Sequence, residues 1–100
     1  MIANAIEFVS FNLKEGASVP DFILASDKMN TEFLMARKGY ISRQLIISGE
    51  LWADYVLWET MEDALDAAEA FGEHDADRAY MSFLDMESID MHHFYVEKSY

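Results

Sequence analysis

Residues 51–71, LWADYVLWETMEDALDAAEAF, change hydrophobic period in the middle. Up to Trp58 the apolar side chains follow a period near two, and from Met61 they recur every three or four residues, so a strand runs directly into a helix. Thr60 is a natural N-cap for that helix, and Glu62 and Asp63 stand in its first turn, where the positive end of the helix dipole favours carboxylates. Met61, Ala64, Leu65, Ala68 and Phe71 are expected to form its apolar stripe, and Gly72 to stop it.

Working outward, residues 40–47 read as a strand, and Ser48-Gly49-Glu50 as a tight connection that makes residues 40–47 and 51–59 an antiparallel hairpin. In residues 51–59, Val56 and Trp58 point one way, and Ala53, Tyr55 and Leu57 the other. Residues 2–13 read as a strand with two apolar faces, one carrying Ile2, Ile6 and Phe8, the other Ala5, Val9, Phe11 and Leu13. Ser18, Pro20 and Asp21 make a helix start. Phe22, Ala25, Met29, Phe33 and Ala36 then recur at helical spacing, so this helix is expected to reach Ala36 and to end at Arg37-Lys38-Gly39. Beyond Gly72, residues 75–84 offer Ala76, Ala79, Tyr80 and Phe83 as a shorter helical piece, and residues 89–96 form a last strand.

The order strand, helix, strand, strand, helix, strand is that of a ferredoxin-like α+β sandwich, βαββαβ, over residues 1–100 as one domain. Right-handed crossovers put both helices on one face of a four-stranded antiparallel sheet. The other face keeps Ile6, Phe8, Tyr55 and Leu57, joined by either Met91 and Tyr95 or Phe94 and Val96. A large bare apolar face implies a partner, and a homodimer packed sheet on sheet is the expectation.

Composition narrows the function. The chain has 100 residues, 52% of them hydrophobic, no cysteine and a formal charge of -12. Thiol catalysis and thiolate metal sites are thereby excluded. Residues 59–90 hold eleven carboxylates against one base, Arg78, a distribution that repels phosphate and argues against nucleic acid or an anionic membrane as partner. No run reaches the roughly 20 apolar residues of a membrane span. The N-terminus has no basic start and is interrupted by Glu7, so no signal peptide is expected and a cytoplasmic location is. Gly16, Gly39, Gly49 and Gly72 are isolated, so no phosphate loop or dinucleotide fingerprint is present.

With its elements and the run YVLWETMEDALDAAEAF, the chain resembles the dimeric α+β barrel superfamily, and within it the antibiotic-biosynthesis monooxygenase-like proteins. The resemblance spans nearly the whole chain and rests on the strand-helix junction. It implies a dimer whose sheets face each other across a barrel. It also implies a pocket for an aromatic or otherwise apolar small molecule, and either cofactor-independent oxygenation or a non-catalytic ligand-binding or stress-response role. The heme-degrading branch uses an Asn late in the first strand, a Trp within the second helix and a later His. The matching stretches here are Phe8 to Ser10, Ala67 or Ala68, and Tyr80, and none agrees. No cofactor is expected, with heme and flavin left open.

Among residues able to carry chemistry, Glu7 shares a face with Ala5, Val9 and Phe11, where desolvation would raise its pKa and make it a candidate base. His92 or His93 is its expected partner. Adjacent strand residues face opposite ways, so only one of them can reach it, and a His-His chelate is disfavoured. His74 is a candidate acid or base at the break between the helical pieces. Trp58, Tyr80, Phe22 and Phe11, with Trp52 and Tyr55, are candidate pocket or core aromatics. Arg43 interrupts the set Ile41, Leu45, Ile47 and is left between binding an anionic group and bridging a dimer edge.

Overall fold

The computed structural model describes residues 3–100, so Ile2 lies outside the described residues. The elements are β1 (Ala5–Phe11), α1 (Val19–Glu32), β2 (Tyr40–Ser48), β3 (Leu51–Trp58), α2 (Met61–Ala70), α3 (Asp75–Met81) and β4 (Asp90–Tyr95). The strands form one antiparallel sheet in the order β2-β3-β1-β4, the ferredoxin-like arrangement.

The register fixes what each face carries. Glu7 pairs with Val56 on one side and His93 on the other, and Phe11 pairs with Trp52, so Ala5, Glu7, Val9 and Phe11 share the helix side with Trp52, Asp54, Val56 and Trp58. Of the two alternatives for the last strand, Phe94 belongs to the bare face, together with Ile6, Phe8, Tyr55 and Leu57, while Met91 and Tyr95 turn towards the helices. The β2-β3 ladder shifts register between Tyr40 and Ser42. Ile41 sits in that irregularity and is largely exposed, whereas Arg43 and Leu45 lie on the helix side. The core is the layer between that side and the helices, built around Phe11, Phe22, Val56, Trp58 and Tyr80.

Both predicted caps form. Ser18 Oγ accepts from the Asp21 amide at 3.3 Å and Thr60 Oγ1 from the Asp63 amide at 3.0 Å. The helix bodies differ from expectation in three places. The α-helix α1 stops at Glu32, and residues Leu34–Ala36 make a single 3-10 turn. Phe33 and Leu34 are both buried at this change from α-helix to 3-10 turn. On α2 the buried positions are Asp63, Ala64 and Ala67, while Leu65 is exposed, which rotates the packing face from the stripe expected. On α3, Ala76 and Tyr80 are buried and Ala79 is exposed.

The turn into β2 is sterically demanding. Gly39 has φ +84°, and a Cβ there would stand 2.1 Å from Asp63 Oδ2, while its carbonyl accepts the Glu59 amide at 2.8 Å. Only glycine fits this contact between the β2 entry and α2. Gly39→Ala is expected to lower the unfolding free energy by at least about 2 kcal/mol, since the left-handed backbone alone costs roughly 1–2 kcal/mol for an L-residue. Urea denaturation reads this directly, and a variant as stable as the parent would show that the β2 entry adapts freely.

Candidate functional site

Between the helix side of the sheet and the helices lies a cavity of about 160 Å³. Its floor is made by Glu7 and Val9 of β1, Asp54, Val56 and Trp58 of β3, and Met91 of β4. Phe33, Ala67, Ala68, Phe71 and Tyr80 form much of the opposite wall. The space exists because α2 presents methyl groups to the sheet. Aromatic side chains on either side hold the layers apart where Ala67 and Ala68 do not fill the gap.

On one side of the cavity Glu7 and His93 form a pair. Cross-strand pairing of β1 with β4 sets the two side by side, and His93 Nε2 lies 2.9 Å from Glu7 Oε2. Their side chains are only 12% and 17% exposed, so bulk water screens the pair weakly. Burial pushes the Glu7 carboxyl above its ordinary value of 4.5; the hydrogen bond and charge of His93 pull it partly back, and the nearby Asp54 adds to the upward push. The result is a carboxyl group held against the His93 ring at the edge of an apolar space.

On another side a buried network crosses from sheet to helices. Arg43 Nε donates to Asp54 Oδ1 at 2.7 Å, and Nη2 donates to Ser26 Oγ at 2.8 Å and to the Tyr80 hydroxyl at 3.2 Å. The Tyr80 hydroxyl in turn donates to Asp54 Oδ2 at 2.8 Å. Burial, and then the charge of Asp54, push the Tyr80 phenol up, so it remains a donor. Burial works against the Arg43 charge, but Asp54 and Tyr80 outweigh it and keep the guanidinium charged. Arg43 therefore pairs with a carboxylate of its own chain, Asp54.

The other residues singled out by sequence are dispersed. Phe11, Trp58 and Tyr80 line the cavity, whereas Phe22 stands behind Tyr80, stacked on its ring at 5.2 Å. His92 lies with Asp90 at 3.1 Å and stacks on Phe94 of the bare face, away from Glu7. His74 is a half-exposed residue at the start of α3, with Nδ1 3.5 Å from Asp77 Oδ2. Trp52 belongs to the outer end of the core and Tyr55 to the bare face. Asp54 and Ser26 had not been singled out. A usable signal was present for Asp54: a lone carboxylate in the inward set Trp52, Asp54, Val56, Trp58, beside a strand with an inward arginine. The Trp58 indole N–H is buried and has no acceptor among the described residues.

No group of three or more metal-ligating side chains occurs among the described residues, and none of their helices is long and apolar enough to cross a membrane.

No family model and no curated protein matches this sequence. Solved structures do. SnoaB, a cofactor-independent oxygenase from Streptomyces nogalater, superposes with TM-score 0.78 at 10% identity, over 97% of this chain and 96% of that one. A putative antibiotic biosynthesis monooxygenase from Bordetella bronchiseptica matches with TM-score 0.75 at 19% identity, over 92% of this chain and 95% of that one. Another from Bacillus cereus matches with TM-score 0.64 at 20% identity, over 98% and 95%. With near-complete mutual coverage and TM-scores of 0.64 to 0.78, the chain has the fold of SnoaB and of these putative antibiotic biosynthesis monooxygenases.

Proposed function

We propose that the chain acts as a homodimer that binds an aromatic or otherwise apolar small molecule in the cavity between sheet and helices and oxygenates it without a cofactor. The observation that carries this reading is Glu7, a largely buried carboxylate hydrogen-bonded to His93 at 2.9 Å on the wall of a mostly apolar cavity. The fold shared with a cofactor-independent oxygenase supports it.

In this mechanism Glu7 takes the acidic proton of the bound substrate, from the O–H of a phenol or from the C–H of its keto form, which leave the same delocalised anion, and His93 steadies the carboxylate before transfer. The resulting carbanion gives up electrons to dioxygen, and a C–O bond forms to give a peroxide. Protonation yields a hydroperoxide. Loss of water from it leaves a carbonyl where a CH₂ had been, so CH₂ and O₂ become C=O and H₂O with no outside reductant. The cavity walls contribute by excluding water, which would otherwise protonate the carbanion.

The dimer follows from the bare face. Phe94 and Ile46 are 52% and 43% exposed there, beside the partly buried Ile6, Phe8, Tyr55 and Leu57, an apolar surface that calls for a cover. A second copy packed sheet on sheet supplies one. Native mass spectrometry should give twice the chain mass, and a monomer at micromolar concentration would remove the barrel from the proposal.

Glu7→Gln should lower oxygen uptake with a phenolic or enolisable aromatic substrate by about 10²–10⁴-fold. Unchanged turnover would take Glu7 out of the mechanism. Folding is a fair control for this variant. Because the folded-state pKa of Glu7 is raised, the folded chain holds a proton that the unfolded chain has already released, and ionisation subtracts from stability as pH rises through that interval. Gln carries no such charge, so the variant should be at least as stable as the parent at neutral pH.

The pH profile gives a further check. The base works only when ionised, so kcat/KM should rise with pH through an acid limb lying above 4.5, the ordinary carboxylate value. His93→Phe removes the contribution that lowers the Glu7 pKa and should move that limb higher. A limb unmoved by His93→Phe would assign it to another group.

A further inference from the structure

The size and polarity of the cavity are more selective than an apolar pocket in general. Resting on the reading above, we infer that its ligand is an uncharged, single-ring aromatic carrying a hydroxyl, of the phenol and dihydroxybenzene class, and not a fused-ring aromatic or an aromatic acid.

Volume sets the ring count. The cavity measures about 160 Å³. An engineered apolar cavity of about 150 Å³ takes up one benzene. The walls have little room to withdraw. Trp58, Tyr80 and Phe11 are fully buried, Tyr80 is backed by the stacked Phe22, and Phe33 meets Phe71 edge to face at 5.4 Å. Moving any of these to admit a second ring would open packing elsewhere in the core.

Polarity sets the functional groups. Glu7, Asp54, Tyr80 and the indole of Trp58, whose buried N–H has no acceptor among the described residues, are the polar side chains on the cavity wall. The Tyr80 hydroxyl already donates to Asp54, and both oxygens of Asp54 are occupied, by Arg43 and by Tyr80. Glu7 Oε2 meets His93, and its other oxygen accepts no hydrogen bond among the described residues. A ligand therefore meets a free acceptor at Glu7 and an unpaired donor at Trp58, and a hydroxyl, which both donates and accepts, suits the two. A carboxylate on the ligand would instead face Glu7 and Asp54, with the one nearby guanidinium already engaged by Asp54, Ser26 and Tyr80. The formal charge of -12 opposes its approach as well.

The test is anaerobic titration of the intact protein, methyl-labelled on methionine, with hydroquinone, naphthohydroquinone and para-hydroxybenzoate. Met29, Met81 and Met91 line the cavity, while Met35 and Met86 are exposed elsewhere and serve as internal controls. Hydroquinone should shift the cavity methyls saturably and leave the controls still. Naphthohydroquinone should bind at least about tenfold more weakly, although hydrophobic transfer alone would favour the larger ring. Para-hydroxybenzoate should leave the cavity methyls unmoved. Equal or tighter binding of either competitor, or no cavity shift with hydroquinone, overturns the ligand class. Phe71→Ala removes a wall side chain and should admit naphthohydroquinone, with the wild-type panel deciding the matter if that variant does not fold. Admitting air separates the two readings: hydroquinone bound in the cavity but not consumed would sink oxygenation and leave the ligand class standing, whereas indifference to ring size sinks the class whatever the turnover.

Discussion

A guanidinium that is only 6% exposed has to be paired, and the need to pair Arg43 organises the middle of this protein. Moving such a charge out of water costs several kcal/mol, and attraction within the protein offsets this only with good geometry and further hydrogen bonds. Arg43 has both. Asp54 across the hairpin supplies the charge, Ser26 of α1 and Tyr80 of α3 supply oxygens, and the ring of Tyr80 lies under the guanidinium at 5.4 Å. Residues of β2, β3, α1 and α3 thus meet at one point. Any of them shifting by an ångström would leave a buried donor or acceptor unpaired, which is more costly than the bonds are stabilising.

That constraint shapes the cavity. With Tyr80 tied to Asp54 and backed by Phe22, one aromatic wall is fixed in place, and the small side chains of α2 leave space that the wall cannot move in to fill. Glu7 then borders a space whose other charged occupant is already neutralised. Its raised pKa comes chiefly from burial, with Asp54 a smaller contribution, so the network and the Glu7–His93 pair are electrostatic neighbours with separate roles. One is structural and satisfied. The other keeps an oxygen available.

Much of the fold was legible because it depends on local pattern. The switch of period at Glu59-Thr60, the caps at Ser18 and Thr60 and the hairpin at Gly49 are decided by neighbours in the chain. The inward placement of Glu7 could also be read, since alternation on β1 puts it with Ala5, Val9 and Phe11. The choice between His92 and His93 could not be. A shift of one residue in the β1–β4 ladder exchanges them, and that register is set by packing over a separation of 86 residues. The face of α2 differs from the expected stripe for a related reason: Leu65 is more apolar than Ala67, yet it is Ala67 that faces the cavity and the sheet while Leu65 is exposed.

The sequence by itself determined the order of elements, their approximate ends, the two-faced apolar character of the sheet and the absence of thiol and phosphate-loop chemistry, because these follow from period, capping and composition. Only the tertiary structure decided that Arg43 turns inward to Asp54, that His93 joins Glu7, that Phe22 stands behind the cavity wall while Tyr80 forms it, and that the space enclosed is about 160 Å³. Those outcomes depend on strand register, on a break in the β2 ladder near Ile41 and on the volumes of side chains far apart in the chain, and no local pattern encodes them.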